Sequence, residues 1–251
     1  MSQIISIHSF RGGTGKSNMT ANLAVTIASQ GHRVGIVDTD IQSPGIHVIF
    51  GFEEDMMKLA LNDYLWGRCA IEEAAYNVSN ILPDASQGQI YLIPSSIKAG
   101  EIARVLREGL DVGLLNDGFR ELVQQLNLDY LFIDTHPGLN EETLLSIAIS
   151  DALVIILRPD RQDFQGTAVT VDVARKLDVP KLLLMINKMP SAFDPATVRQ
   201  QVEQSYDASV AGIFLENEEM LQLASSGVFC LHYPDHPFTK EVQNVAQQLL
   251  A

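Results

Sequence analysis

Eight consecutive residues near the start of the chain, Phe10-Arg11-Gly12-Gly13-Thr14-Gly15-Lys16-Ser17, bring backbone freedom, cations and hydroxyls together in one loop. Gly12, Gly13 and Gly15, with Thr14 among them, let peptide N–H groups close around an anion. Lys16 offers a point charge to phosphate oxygens, and Ser17 a hydroxyl suited to Mg²⁺. Residues 4–7 form a short apolar run before the loop, and residues 18–28, beginning with Asn18, have a helical pattern after it. Strand, glycine loop and helix N-terminus in that order make an anion cradle. The helix's unpaired N–H groups and its positive end face the same point. The chemistry expected is capture of nucleotide phosphates, with Lys16 on the β- and γ-phosphates.

Carboxylates at the ends of two apolar runs would complete such a site. Gly35-Ile36-Val37 leads into Asp38-Thr39-Asp40-Ile41-Gln42, and Leu131-Phe132-Ile133 into Asp134-Thr135-His136-Pro137-Gly138. A strand ending in Asp places a carboxylate where it helps hold Mg²⁺, usually through a water. Asp38, Asp134 and Ser17 are therefore the expected metal residues. Either aspartate alone would be a weak signal, because Asp is common in turns. The base is read from Asn187-Lys188-Met189-Pro190. Guanine-specific proteins with such a loop use N-K-x-D, whose Asp accepts from the guanine N1–H and amine, and Pro190 cannot do this. Adenine is expected, hence ATP, with Asn187 either on its edge or closing a strand-end turn.

The loop departs from the ordinary G-x-x-x-x-G-K-[ST] at two positions. Phe10 stands where the first Gly belongs, and Gly12-Gly13 is preceded by Arg11. Lys16 already serves the phosphates, so a second cation at the mouth is expected to face outward, toward a nucleotide held by another subunit. In these residues the chain resembles the MinD/ParA family of deviant Walker A P-loop ATPases, whose loop reads K-G-G-x-G-K-[ST]. Arg11 occupies the signature-lysine position.

The resemblance implies further roles. Asp38-x-Asp40 is similar to the family's switch I, in which the second Asp orients the attacking water. Asp40 is then the expected catalytic carboxylate, acting with Lys16 and Arg11, and Gln42 a further hydrogen-bonding group of that loop. Asp134 falls on the Walker B aspartate, and residues 134–138 on switch II. An ATP-dependent homodimer and a protein partner are also implied. Residues 61–67, 71–74, 93–96, 212–214 and 224–227 look MinD-like, although Leu215 stands where Pro is common. Residues 238–250 carry an apolar stripe (Phe238, Val242, Val245, Ala246, Leu249) suited to packing on a sheet, so no intrinsic membrane helix is expected. Cys69 and Cys230 lack the pairing that iron–sulfur or nickel relatives require, and the Tyr-rich tail of the tyrosine-kinase relatives is missing.

These residues need a scaffold that gathers strand ends. Apolar runs at 4–8, 33–37, 90–94, 130–134, 153–157, 182–186 and 210–214 alternate with helical patterns, among them residues 115–126. Most are continuous rather than alternating, as expected for strands covered on both faces. The fold class expected is α/β, three layers with a mostly parallel twisted sheet and helices on both faces, and the resemblance implies that it is a P-loop NTPase of SIMIBI type. In such sheets ligands sit beyond the carboxyl ends of the strands. At 251 residues the chain, 1–251, reads as one P-loop ATPase domain. Residues 80–89 read as a loop, and His232 and His236 as loop residues. With 17 basic and 31 acidic residues the net charge is −14, and Arg104, Arg107 and Lys98 are diluted by Glu101 and Glu108. A nucleic-acid partner gripped through its phosphates is not expected. Two unpaired cysteines and no secretory signal lead to a cytoplasmic expectation. The function read from the sequence is a Mg-dependent ATPase acting as an ATP-driven dimerisation switch in positioning, partition or regulation. An ATP-binding adaptor with little hydrolysis stays open beside it, and more remotely an ATP-dependent amidotransferase or ligase.

Overall fold

All seven apolar runs become strands of one sheet in the computed structural model, which describes residues 2–251. The strands are β1 (Gln3–His8), β2 (Arg33–Asp38), β3 (Tyr76–Asn77), β4 (Gln89–Ile93), β5 (Tyr130–Asp134), β6 (Ala152–Leu157), β7 (Lys181–Met189) and β8 (Ser209–Leu215). Their order across the sheet is β3-β4-β2-β5-β1-β6-β7-β8. Every pairing is parallel except that of β3 with β4. The two-residue β3 escaped the sequence reading because it is too short to carry a periodicity.

The helices are α1 (Lys16–Ser29), α2 (Ile46–Ile49), α3 (Leu61–Leu65), α4 (Ala99–Glu108), α5 (Val112–Gln125), α6 (Glu141–Ala148), α7 (Arg161–Lys176), α8 (Pro195–Tyr206), α9 (Glu218–Leu223), α10 (Phe229–His232) and α11 (Pro237–Leu250). Within the continuous apolar runs the period of two still sorts the faces. Phe132, Val154, Ile156 and Met185 pack with α1 and α11 on one side. Leu131 and Ile133 meet α5 on the other, where Leu153, Ile155 and Leu184 meet α7 and α8. The three-layer expectation holds, and both faces of β6 are buried throughout.

Local signals set the helix ends. Asp111 caps α5 by accepting from the Leu114 N–H at 3.0 Å, and the Leu115, Phe119 and Leu122 stripe is fully buried. The stripe anticipated in residues 238–250 is buried in α11 as expected. His232 is not a loop residue but ends α10, whereas His236 stays in the turn before α11 and caps that helix, its Nδ1 accepting from the Phe238 N–H at 3.0 Å. The diluted basic cluster is engaged locally. Arg104 lies 3.8 Å over the Trp66 ring and pairs with Glu108 at 2.9 Å.

The loop anticipated over residues 80–89 begins with a 3₁₀ turn, Ser79–Ile81, and its last residue starts β4. Gly88 lies against the C-terminal end of α1. A Cβ there would sit 1.9 Å from the Ala28 carbonyl oxygen and 2.8 Å from that of His32. Backbone cannot yield as a side-chain tip can. Gly88→Ala is therefore expected to lower unfolding free energy by about 2–3 kcal/mol, read as a shifted urea midpoint with unchanged slope.

Candidate functional site

Parallel pairing brings the candidate residues to one edge. Asp38 at the end of β2 lies in register with Asp134 at the end of β5, and Asp134 with Ile7 of β1, just before the glycine loop. The loop runs from Ser9 to Gly15 and opens directly into α1. Gly13 at φ 77° and Gly15 at φ 96° occupy the left-handed region that other residues avoid. At Gly15 a Cβ would also stand 2.6 Å from Asn187 Nδ2. The N-terminus of α1 has neither a side-chain cap nor an acidic residue in its first turn, so its N–H groups are left for an anion.

The charges around that point do not balance within the protein. Lys16 is 7% exposed. Burial lowers its pKa, opposed by the nearby Asp134, Asp40 and Asp38. Asp38 accepts from the N–H groups of Asp40 at 3.0 Å and Gly45 at 3.2 Å. Its burial, and the neighbouring Asp134 and Asp40, still push its carboxyl well above the usual range. Asp134 is raised to about 6 by burial, against hydrogen bonds from Ser17 and Thr20 and the attraction of Lys16. No three of the acidic, His or Cys side chains among the described residues are arranged to hold a metal ion by themselves, but the oxygens of Ser17, Asp38 and Asp134 are donors of the kind a hard divalent cation takes when phosphate and water oxygens complete its shell. Thr14 Oγ1 and Asn18 Oδ1, both buried at the loop, have no protein partner. The donor set therefore fits Mg²⁺ and a phosphate chain together.

Sequence reasoning missed several supports. Thr20 lies one helical turn beyond Lys16 and gives its hydroxyl to Asp134 Oδ1 at 3.1 Å. Lys188, at φ 53°, gives its ammonium to the Gly13 carbonyl at 2.9 Å. His8 Nδ1 meets Thr135 Oγ1 at 2.8 Å, and that hydroxyl donates to the Ile7 carbonyl at 2.9 Å. Thr135 must then accept from His8, so Nδ1 carries the proton and the buried Nε2 is a bare acceptor with no protein partner. Burial, then the nearby Lys16 and His136, hold the His8 pKa down to about 3. None of these partners has a spacing rule that sequence alone reveals.

Other candidates arrive in unexpected company. Asn187 gives its amide Nδ2 to the Thr14 carbonyl at 2.7 Å, so it braces the loop. It also lines a cavity of about 250 Å³ with Gly15, Asn18, Leu215, Glu216 and Asn217. Asp40 Oδ1 accepts from Ser43 Oγ at 2.9 Å and meets His136 Nδ1 at 2.7 Å. Ser43, rather than the expected Gln42, closes that loop, and Gln42 is exposed. Arg11, expected to face outward, is paired within its own chain. Its Nε lies 2.8 Å from Asp163 Oδ1, its Nη2 3.5 Å from Asp160 Oδ2, and its Nη1 donates to Gln162. Phe10 packs against Gly166 of α7, where a Cβ would stand 2.0 Å from its ring. Both unusual loop residues thus dock on the first turns of α7.

The two cysteines lie on opposite faces of the sheet, Cys230 with α1 and α11 and Cys69 with α3 and α5. Burial pushes the Cys230 thiol up to about 11 and raises that of Cys69.

The family model described as "ParA: NUBPL iron-transfer P-loop NTPase" matches residues 1–250. An uncharacterized ATP-binding protein of Methanocaldococcus jannaschii is 26% identical, over 100% of this chain and 88% of its own length. The septum site-determining protein MinD of Bacillus subtilis is 22% identical, over 100% of this chain and 90% of its own. The structure of MinD complexed with Mg-ADP from Pyrococcus horikoshii superposes with a TM-score of 0.81 at 20% identity, covering 99% of this chain and 96% of that one. With a full-length family match, this strand order and a glycine loop of the deviant form, the chain belongs to the MinD/ParA family of P-loop NTPases.

Proposed function

We propose that the protein is a Mg²⁺-dependent ATPase that dimerises on ATP and separates after hydrolysis, so that nucleotide state controls engagement of a partner protein. The observation that carries this reading is the convergence of Lys16, Ser17, Asp38 and Asp134 on the uncapped start of α1, with Asp40 beside them. When bound, Mg²⁺ would be held by Ser17 with Asp38 and Asp134, and would neutralise charge on the phosphates. The residues of the chain supply the rest. The loop N–H groups and Lys16 bind and orient the phosphate chain, and Asp40 orients the attacking water.

The nucleotide we assign is ATP. With Asn187 Nδ2 committed to the loop, its Oδ1 is the group left to accept a base's exocyclic amine, which adenine offers at its edge. Pro190 supplies no acceptor for guanine. The P. horikoshii MinD bound to Mg-ADP supports the same class of ligand. No helix among the described residues is long and apolar enough to cross a membrane. We place the protein in the cytoplasm, a placement its two free thiols support.

A second reading, a nucleotide-holding adaptor that hydrolyses little, is favoured by one observation: Arg11 is held in cis by Asp163 and Asp160. Phosphate release separates the two. Asp40→Ala is expected to lower turnover roughly 100-fold with ATP affinity kept. Equal rates in wild type and variant would leave only the adaptor.

A further inference from the structure

The Asp40 carboxylate is tied to two groups of different kinds. Ser43 lies on the same exposed turn, giving Oδ1 its hydroxyl at 2.9 Å and its N–H at 3.2 Å, and moves with it. His136 belongs to another segment, between β5 and α6. Its Nδ1 lies 2.7 Å from the same oxygen, with the two side chains 22% and 15% exposed. A carboxylate only accepts, so His136 Nδ1 is the protonated nitrogen. Oδ1 is then filled, and Asp40 Oδ2 takes no hydrogen bond among the described residues.

The backbone on either side of His136 is fixed without its ring. The Thr135 N–H and hydroxyl both donate to the Ile7 carbonyl, at 3.3 and 2.9 Å. The Gly138 N–H donates to the Ser9 carbonyl at 3.2 Å, and the Thr143 hydroxyl to the His136 carbonyl at 3.3 Å. The imidazole therefore projects from a segment anchored to β1 and the start of the phosphate loop. Thr39 already ties the backbone before Asp40 to the same segment, its N–H and hydroxyl donating to the Asp134 carbonyl at 2.9 and 3.0 Å, and the bond from His136 is the one that reaches the carboxylate itself.

We propose that His136 is the positioning residue of the hydrolytic step: its Nδ1–H holds Asp40 Oδ1 so that Oδ2 is aimed at the attacking water. The proposal rests on the reading of Asp40 as the water-orienting carboxylate. The same bond adds a side-chain link between the two switch segments, which the Thr39–Asp134 bonds already join through the backbone. Removing a hydrogen bond to a carboxylate whose direction matters acts on turnover and leaves the phosphate cradle intact.

The test is steady-state ATP hydrolysis, with ATP affinity and melting temperature measured in parallel. His136→Ala is expected to lower kcat roughly 10- to 100-fold with KM and ATP affinity unchanged. Asn places its amide nitrogen close to the position of Nδ1, whereas Gln places it near Nε2. His136→Asn should therefore restore most of the rate and His136→Gln should not. The double variant with Asp40→Ala should be no slower than Asp40→Ala alone. Wild-type kcat in His136→Ala, equal rescue by Asn and Gln, or additive losses in the double variant would each overturn the proposal. If Asp40→Ala abolishes turnover while His136→Ala does not, this proposal alone falls. If Asp40→Ala keeps wild-type turnover, the Asp40 reading falls and takes the proposal with it.

Discussion

Lys16→Ala is expected to weaken Mg–ATP binding on the order of 10³-fold by isothermal titration calorimetry, because truncating one partner of a desolvated charge pair costs about 2–5 kcal/mol. The upper half of that range applies for a structural reason. Lys16 is buried before any nucleotide arrives, so its desolvation belongs to the folded protein and not to the binding step. Its removal leaves Asp134, Asp40 and Asp38 facing the incoming phosphates with no fixed cation among them. Lys16→Arg should not rescue, since a planar fork needs room and partners that a compact ammonium does not. A stability readout accompanies the loss. The folded-state pKa of Asp134 is raised to about 6, so its contribution is fully present below the unfolded value and is lost as pH rises through 6. Without the lysine that pKa rises further. The melting temperature of the nucleotide-free variant should then fall more steeply than wild type between pH 6 and 8. A Lys16→Ala protein that binds ATP like wild type would remove the phosphate cradle from the account.

Arg11→Ala is expected to bind ATP with near-normal affinity and to lose the ATP-dependent dimer, and with it turnover, as read by light scattering coupled to size-exclusion. The structure gives this prediction a cost to overcome. Arg11 is held in cis by Asp163, itself buried, and by Asp160 and Gln162. Reaching a neighbouring subunit's phosphates requires the guanidinium to leave those carboxylates. Asp163 keeps Arg158 on Oδ2, with Nε at 3.1 Å and N–H at 3.0 Å, but its buried Oδ1 takes no hydrogen bond and loses its ionic neighbour when Arg11 leaves, which adds to the cost. The exchange is thus two carboxylate contacts and the bond to Gln162 for phosphate contacts, and a guanidinium keeps its charge throughout. Arg11→Lys should retain part of the dimer, since the charge remains and the fork is lost. An undiminished ATP-bound dimer in Arg11→Ala would sink the trans role and leave Arg11 as a brace between the loop and α7.

Much of the cradle was legible because its determinants are local. Gly13 and Gly15 announce backbone that only glycine tolerates, and both do take positive φ. Continuous apolar runs announce strands covered on both faces, and all seven became strands, with α5 and α11 where the 3.6-residue stripes placed them. The misreadings share a cause as well. The two residues of β3 hold no period, and the four-residue α10 that His232 ends is equally too short to show one. Gln42 is the expected hydrogen-bonding group of the loop after Asp40, whereas the turn puts the Ser43 hydroxyl at the carboxylate and leaves Gln42 exposed, which no spacing in the sequence records.

By itself the sequence determined the chemistry on offer: a glycine loop entering a helix, one lysine, a serine and three aspartates at or just after strand ends, each marked by the few residues on either side of it. Only the tertiary structure decided which of these share a site. Asp38 faces Asp134 because β2 pairs with β5 and not with its chain neighbours, a choice set by the order of the crossovers. Arg11 meets Asp163, Phe10 meets Gly166 and His136 meets Asp40 across segments far apart in the chain. Such contacts depend on how buried charges and apolar faces are satisfied pairwise once the layers close, and no local periodicity records that.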